Sequence, residues 1–355
     1  MNNLPYILIS RVLILVIGVI PCAVSAQILG GRHTFSFLEL SPSARVTALG
    51  GSQIAVRDDE VAFAALNPAA ANPLMSGRLT FNHNFYLTDI QHGYAAYAHE
   101  LKKTGFTLHG GVQYIDYGDI PQADETGVIT GKVTAKETAV IVGGARQLSD
   151  KLSLGLNLKW AASTLDAYNA HAIAADAGLL YVDTARNYSI GVVLRNYGAQ
   201  VNTYNGVRED LPNDIQVAFS KRLKYLPFRF TIIVHQLQQW QIRYDDPALQ
   251  QSEFISFTGE EQKKSGSPVV DNFFRHMIFN GEFLLGKHEG FRLRVGYNHL
   301  RKRELSVNNY RSLAGFSAGV GVKVSRFRVD FGYSVYHLAG GVVHLGIGTN
   351  LREFF

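Results

Sequence analysis

The chain is poor in cysteine: of 355 residues only Cys22 is one, and it stands inside an apolar N-terminal run. A framework of disulfides is thereby excluded. Charge of one sign is also scarce, with 34 Lys and Arg against 29 Asp and Glu and a net charge of +5. Such a balance does not argue for nucleic acid, and an ordinary mixed surface accounts for it, with lipopolysaccharide phosphates as a weaker fit. Long apolar runs are missing as well. The one candidate, "VLILVIGVIPCAV", is too short to span a bilayer comfortably as a helix. Arg11 precedes it and "AVSA" follows, so residues 1–26 read as a secretory signal peptide with cleavage expected after Ala26. Removing it takes away Arg11 and no acid, which lowers the net charge from +5 to +4. A lipoprotein signal would need small residues before Cys22, where Ile20 and Pro21 stand.

Catalytic and metal-binding patterns are equally thin. The twelve histidines include no H-E-x-x-H and no pair at helical spacing. Asp58, Asp59 and Glu60 cluster without EF-hand spacing, and read as a group paired with cations such as Arg229, Arg294 or Arg328. "GFSAG" (315–319) matches a nucleophile elbow in letters, yet apolar alternation runs straight through Ser317, where the elbow needs a sharp turn. "KTG" (103–105) lacks the companion boxes of penicillin-interacting enzymes and reads as a hairpin turn. No catalytic residue, cofactor or metal is therefore expected. His109, His235 and His344 are expected to hydrogen-bond in a polar interior.

What is present is alternation. In the closing "VVHLGIGTNLREFF", Val343, Leu345, Ile347, Leu351 and Phe355 share one parity, while His344, Gly346, Gly348, Asn350 and Arg352 hold the other. Side chains along a strand point alternately to its two faces, so this is a strand with one greasy face. The pattern recurs from Leu152 to Trp160, from Phe228 to Val234 and from Phe327 to Val335. Fourteen such segments begin near 79, 91, 104, 136, 151, 170, 186, 213, 227, 272, 290, 312, 325 and 341. Each is roughly the ten residues with which a tilted strand crosses a bilayer. Connections after even-numbered segments are tight ("KKTG", "LSDK", "DTAR", "LKYLP", "GKHEG"). Those after odd-numbered ones are often long, at 117–135, 198–212, 238–271 and 300–311. This asymmetry belongs to transmembrane barrels, and a soluble sandwich has no need of it.

The expectation is an all-β, 14-stranded antiparallel barrel over residues 79–355 in the bacterial outer membrane, its last strand closing against its first. Phe355 is expected at the lipid interface as the assembly signal read by the barrel assembly machinery. Tyr94, Tyr97, Tyr114, Tyr117, Tyr181 and Tyr297 are expected in aromatic girdles. Strand glycines such as Gly143, Gly144, Gly315, Gly319 and Gly321 suit places where something fills the lumen. Residues 27–78 do not alternate, and fifty compact residues before a barrel suggest a plug. Pro68 forces Asn67 away from helical angles, so "LNPAA" reads as a turn entering a short helix.

"FSFLEL", "SARVTALGG" with Arg45, Gly50 and Gly51, and "LNPAAANP" with Asn67 and Pro68 carry a family resemblance. The chain resembles the fatty-acid-transporter (FadL)-like barrels and, more closely, the PorQ family of the bacterial type IX secretion system. That resemblance implies a surface anchor in an attachment complex. Its implied partners are a PorZ-like surface protein, PorU- and PorV-like components, and the lipopolysaccharide to which cargo is attached. The alternative within the same superfamily is a conduit for hydrophobic small molecules. For an anchor, the partner surface is expected on the longest loop, 238–271, where Trp240, Arg243, Tyr244, Phe254 and Phe257 gather.

Overall fold

The computed structural model describes residues 33–86, 88–243, 267–305, 312–337 and 340–354. Alternation without interruption favours strands, and strands with a wholly apolar face need closure. Fourteen of them form one antiparallel barrel in sequence order. The first seven are β1 (Arg78–Phe85), β2 (Gln91–Leu101), β3 (Phe106–Ala123), β4 (Ile129–Gln147), β5 (Leu152–Leu165), β6 (Tyr168–Asp183) and β7 (Tyr188–Asn202). Then come β8 (Asp214–Arg222), β9 (Phe228–Val234), β10 (Met277–Leu285), β11 (Phe291–Asn298), β12 (Phe316–Val324), β13 (Phe327–His337) and β14 (Gly340–Asn350). The seam pairs β1 with β14 from Arg78↔Asn350 to Phe85↔Val343, which leaves no free edge. Tight connections at 102–105, 148–151, 184–187, 223–227, 286–290 and 325–326 mark one end of the barrel. The longer connections, 203–213 and those that join β9 to β10 and β11 to β12, leave from the other.

Three boundaries differ from expectation. The expected loop 117–135 is largely strand, because β3 and β4 stay paired as far as Ala123↔Ile129. β10 starts at Met277 instead of 272, since "PVVDNFFR" folds as a helix (Pro268–Arg275) with proline in its first turn, where no amide is needed. β14 stops at Asn350, whose side chain accepts a hydrogen bond from the Arg352 amide and opens a 3-10 turn over Leu351–Glu353. The alternation therefore does not carry the strand to the C-terminus. Phe355 lies outside the described residues, and the Phe354 ring meets Phe327 at 5.9 Å.

The outer face is apolar. On β5, Leu154, Leu156, Leu158 and Trp160 are exposed, while Ser153, Asn157 and Lys159 are buried inside. Tyr94 departs from the expected girdle. It shares its parity with the buried Ala96 and Ala98, so its ring points inward and fills the space left by Gly111.

Residues 34–77 lie within the barrel, because they touch every strand of it. Ala44 N donates to Asn82 on β1, Glu100 N on β2 donates to Ser76, Gln113 on β3 donates to Phe37 O, and Arg57 donates to Gln147 on β4. Asn157 on β5 donates to Ala64 O, Asn67 donates to Leu179 O on β6, and Arg195 on β7 donates to Leu38 O. Ser52 and Gln53 reach Gln216 on β8 and Thr231 on β9, and Arg45 meets Glu282 on β10. Asn298 on β11 and Ser317 on β12 donate to Gly50 O and Ala48 O, Asp59 faces Arg328 on β13, and Thr47 meets His344 on β14. The segment enters at the long-loop end, where Thr34 N donates to Asp210 O, and leaves at the other, where Gly77 N donates to Ala98 O.

Its local order is written in its motifs. In "SARVTALGG", the Ser43 side chain caps α1 (Ala44–Ala48), accepting from Val46 N. Gly50 and Gly51 take φ of 85° and 100° and return their amides to Thr47 O and Val46 O, a Schellman ending that favours glycine at the first of these positions. In "NPAA", Asn67 is extended at φ −136°, and its side chain accepts from Ala69 N as Pro68 opens a 3-10 turn. That turn lies on the cross-strand glycine pair Gly155↔Gly178. A Cβ at Gly155 would stand 2.3 Å from the Pro68 carbonyl carbon. Gly319 and Gly332 likewise admit Ala48 and Ala44. Of the glycines singled out from sequence, Gly319 serves this purpose, whereas Gly315 lies in the turn before β12.

Gly155→Val should therefore overpack the interior, at a cost of about 1–3 kcal/mol. The folded barrel, followed by its heat-modifiable migration on a gel, should melt at lower temperature. Gly110→Val, whose Cβ meets nothing nearer than 3.9 Å, should melt as the parent does.

Candidate functional site: a charge lock inside and an apolar groove outside

Charged side chains enclosed by the barrel need partners, and the inner segment and the wall supply them to each other. Arg45 is fully buried, and its guanidinium donates to both Glu282 oxygens at 2.9 Å and to Asp58 at 2.7 Å, with the Phe63 ring 4.7 Å away. Glu282 also receives Arg229 at 2.6 Å and Arg294 at 2.9 Å, and Arg294 continues to Asp330 at 2.6 Å. Asp59 takes Arg78 at 2.5 Å, with Arg292 and Arg328 each 3.7 Å away. The segment thus contributes one cation and three acids, while the wall contributes Arg78, Arg229, Arg292, Arg294 and Arg328 with Glu282 and Asp330. Of the cations expected to meet the acid cluster, Arg229 reaches Asp58 at 3.5 Å and Arg328 reaches Asp59. Arg294 instead serves Glu282 and Asp330.

Two of the segment's carboxyls are displaced in opposite directions. Burial pushes Asp58 up, but Arg45, Arg292 and Arg229 outweigh it and hold the group well below its ordinary value. Burial and the nearby charge of Asp330 raise Glu60 to about 7. A cavity of about 20 Å³ beside Asp59, Glu60, Arg78 and Asp330 has room for about one water.

The outer wall carries a second feature on the same strands. A groove of about 720 Å³ runs across β9 to β13, lined by Phe228, Val295, Tyr297, Phe316, Ala318 and Tyr333, among others. Its rings are packed: Tyr297 lies 4.7 Å from Phe316 within the groove, and Phe228 lies 4.6 Å from Phe283 beyond it. Phe228 occupies the place of the missing Gly281 side chain. Gly296 also lines the groove, and a Cβ built there would stand 2.3 Å from Gly50 N of the inner segment. One glycine of wall separates the groove from the interior.

Arg45, Gly50, Gly51, Asn67 and Pro68 all lie inside the barrel, but at different walls: Arg45 at Glu282 on β10, Gly50 beside Ile278 and Tyr297, Gly51 beside Arg301, and Asn67 with Pro68 against Gly155 and Gly178. It does not gather the expected partner-binding residues into one described surface. Trp240 stacks on His276 at 4.9 Å and lies 6.4 Å from Phe273. Arg243 is described and has a partner, while Tyr244, Phe254 and Phe257 fall outside the described residues. His109 bonds Asn157 and His344 bonds Thr47, both at 2.8 Å. Ser317 lies on a straight strand, its hydroxyl donating to Ala48 O. Sequence reading missed the groove and Glu282. The available signals were the lone acid in "FNGEFLL" and the strand glycines Gly281 and Gly296 among aromatics.

A closed fourteen-strand barrel with an apolar outer face, its interior occupied by the preceding segment, defines an outer-membrane-type barrel protein. The chain belongs to UPF0164, an uncharacterised protein family whose model matches residues 18–241. No curated protein matches it. Among solved structures it is similar to the Pseudomonas putida toluene transporter TodX, at 10% identity and TM-score 0.54 over 87% of this chain and 96% of that one. The Ralstonia pickettii toluene transporter TbuX matches at 12% identity and TM-score 0.50, over 89% and 97%. A Pseudomonas aeruginosa FadL homologue does so at 11% and 0.50, over 88% and 98%. At these identities the likeness establishes the fold.

Removing one member of a buried ion pair costs about 3–5 kcal/mol. Arg45→Leu should therefore loosen the segment. An Ala64→Cys reporter, made unique by Cys22→Ser, should react with maleimide in Arg45→Leu and stay protected in the parent. Acidity should act in the direction set by Glu60. Its raised value favours the protonated, enclosed form, so the part of the protection that Glu60 contributes, read as parent minus Glu60→Gln at each pH, should be largest near pH 4.5 and fall as pH rises through about 7. Glu60→Gln should flatten that part of the profile.

Proposed function

We propose that this protein is a bacterial outer-membrane barrel that takes hydrophobic small molecules into the wall groove and passes them by a plug formed by residues 33–77. The observation that carries the reading is the groove. Its volume of about 720 Å³ lies within the range of about 300–1,000 Å³ typical of small-molecule sites, and its lining is almost wholly apolar. The interior, by contrast, is packed with the inner segment, which suits a gated conduit better than an open water-filled pore. The fold likeness to barrels described as toluene transporters supports the same reading. The finer role implied by the sequence resemblance, an anchor in a type IX attachment complex, has only the loop aromatics in its favour. Trp240, the one described aromatic among them, is engaged with His276.

Uptake of radiolabelled toluene by cells carrying the barrel should exceed that of cells with an empty vector. Ala318→Trp and Val295→Trp, which fill the groove from the lipid side, should lower the rate by about tenfold, the scale of discrimination that an apolar pocket provides. Uptake equal to the empty vector, or unchanged in both variants at equal barrel levels, would sink the proposal.

A further inference from the structure

The long-loop end carries an amphipathic helix whose apolar side stays largely exposed among the described residues, touched only at its edges by Trp240 and His299. Besides α1 the chain forms α2 (Ala62–Leu66) inside the barrel, and α3 (Pro268–Arg275) and α4 (His299–Glu304) at the long-loop end. On α3, Val269, Val270, Phe273 and Phe274 are exposed by 74%, 52%, 44% and 41%. Their spacing of one, three and four residues places them on one face. The opposite face is fixed. Asn272 donates to Trp240 O at 2.7 Å, and Asp271 holds Arg275 at 2.8 Å and Arg303 of α4 at 2.6 Å. Trp240 stands beside this apolar face with about half its surface free. The helix therefore cannot turn its apolar side inward without breaking these pairs.

Two further observations say what covers that face. The apolar surface is continuous with the outer wall, because Phe274 meets His299 at 5.9 Å, His299 meets Tyr297 at 5.8 Å, and Tyr297 lies on the groove. Charge also accompanies it. The two helices carry Arg275, Arg301, Lys302 and Arg303 against Asp271 and Glu304; Arg275 and Arg303 share Asp271, Arg301 lies over the Tyr336 ring and Lys302 donates to Ser312 O, and the sum is an excess of positive charge at this edge. A fixed apolar helix face that extends a lipid-facing wall and is edged by cations matches the boundary between acyl chains and phosphate headgroups.

We propose that α3 and Trp240 rest in the headgroup boundary of the membrane leaflet at the long-loop end, with the net positive charge of α3 and α4 within reach of lipid phosphates. Trp240 then belongs to a lipid contact and not to a docking surface for a soluble protein. This placement does not depend on what the wall groove carries.

Trp160 and Trp240 are the only two tryptophans, so Trp160→Phe, or Trp160→Tyr as a second version, leaves Trp240 as the sole reporter. The variant is reconstituted into phosphatidylglycerol–phosphatidylethanolamine vesicles whose acyl chains are brominated either near the headgroup or near the chain end. Trp240 emission should be lost chiefly with the shallow label. The loss should diminish with Lys302→Gln/Arg303→Gln, or when phosphatidylglycerol is replaced by phosphatidylcholine. Emission untouched by both labels and open to aqueous acrylamide would overturn the proposal, as would protection from both labels and acrylamide, since a loop or bound protein would then cover the face. Shallow quenching with no dependence on lipid charge or on Lys302 and Arg303 would overturn its electrostatic half.

Discussion

Closure of the sheet is the constraint from which the rest follows. Once β1 has paired with β14, every inward side chain is cut off from bulk water on the lipid side, and its polar groups need internal partners. Glu282 illustrates the consequence: a carboxylate enclosed in the barrel is held by Arg45, Arg229 and Arg294 together. Neither the wall nor the inner segment balances its own charges, so each is an incomplete structure without the other. The strand glycines follow from the same constraint. A segment with five short helical turns fits a barrel of this size only where Gly155, Gly178, Gly319 and Gly332 let it approach the wall closely.

The two sides of one stretch of wall do different work. Inside, β9 to β11 present Arg229, Glu282, Arg292 and Arg294 to the segment. Outside, the same strands present Phe228, Val295 and Tyr297 to the groove. Strand alternation makes this possible, since neighbouring residues serve opposite faces. Gly296 belongs to both, lining the groove on one side and touching Gly50 on the other. A displacement of the segment at Leu49–Gly50 would be felt at the groove without any intervening relay.

Much of the barrel was legible because period-two alternation is a local signal that no distant contact overrides. Twelve of the fourteen strands start within four residues of where the alternation places them, while β4 starts seven residues early and β10 five residues late. Errors arose where local rules compete. Pro268 suits a helix start as well as a loop, and Asn350 caps a turn where alternation alone would continue. The acid cluster Asp58–Glu60 was readable as a group in need of cations, but not which ones, because Arg45 and Glu282 are 237 residues apart in sequence. Tyr94 was misplaced because position near a strand end says nothing of which face a ring takes. The groove was illegible for a further reason: it depends on register between five strands, and a sequence does not print register.

The path of the inner segment sets an order of events in biogenesis. It runs from Asp210 at one mouth to Ala98 near the other, and is covalently continuous with β1. A chain end carrying Phe35, Phe37, Arg45 and Phe63 has no free channel through a finished barrel, so the strands gather around the segment and the seam is zipped last. The enclosed piece then acts as a mandrel, and its loss is felt first as a defect of assembly.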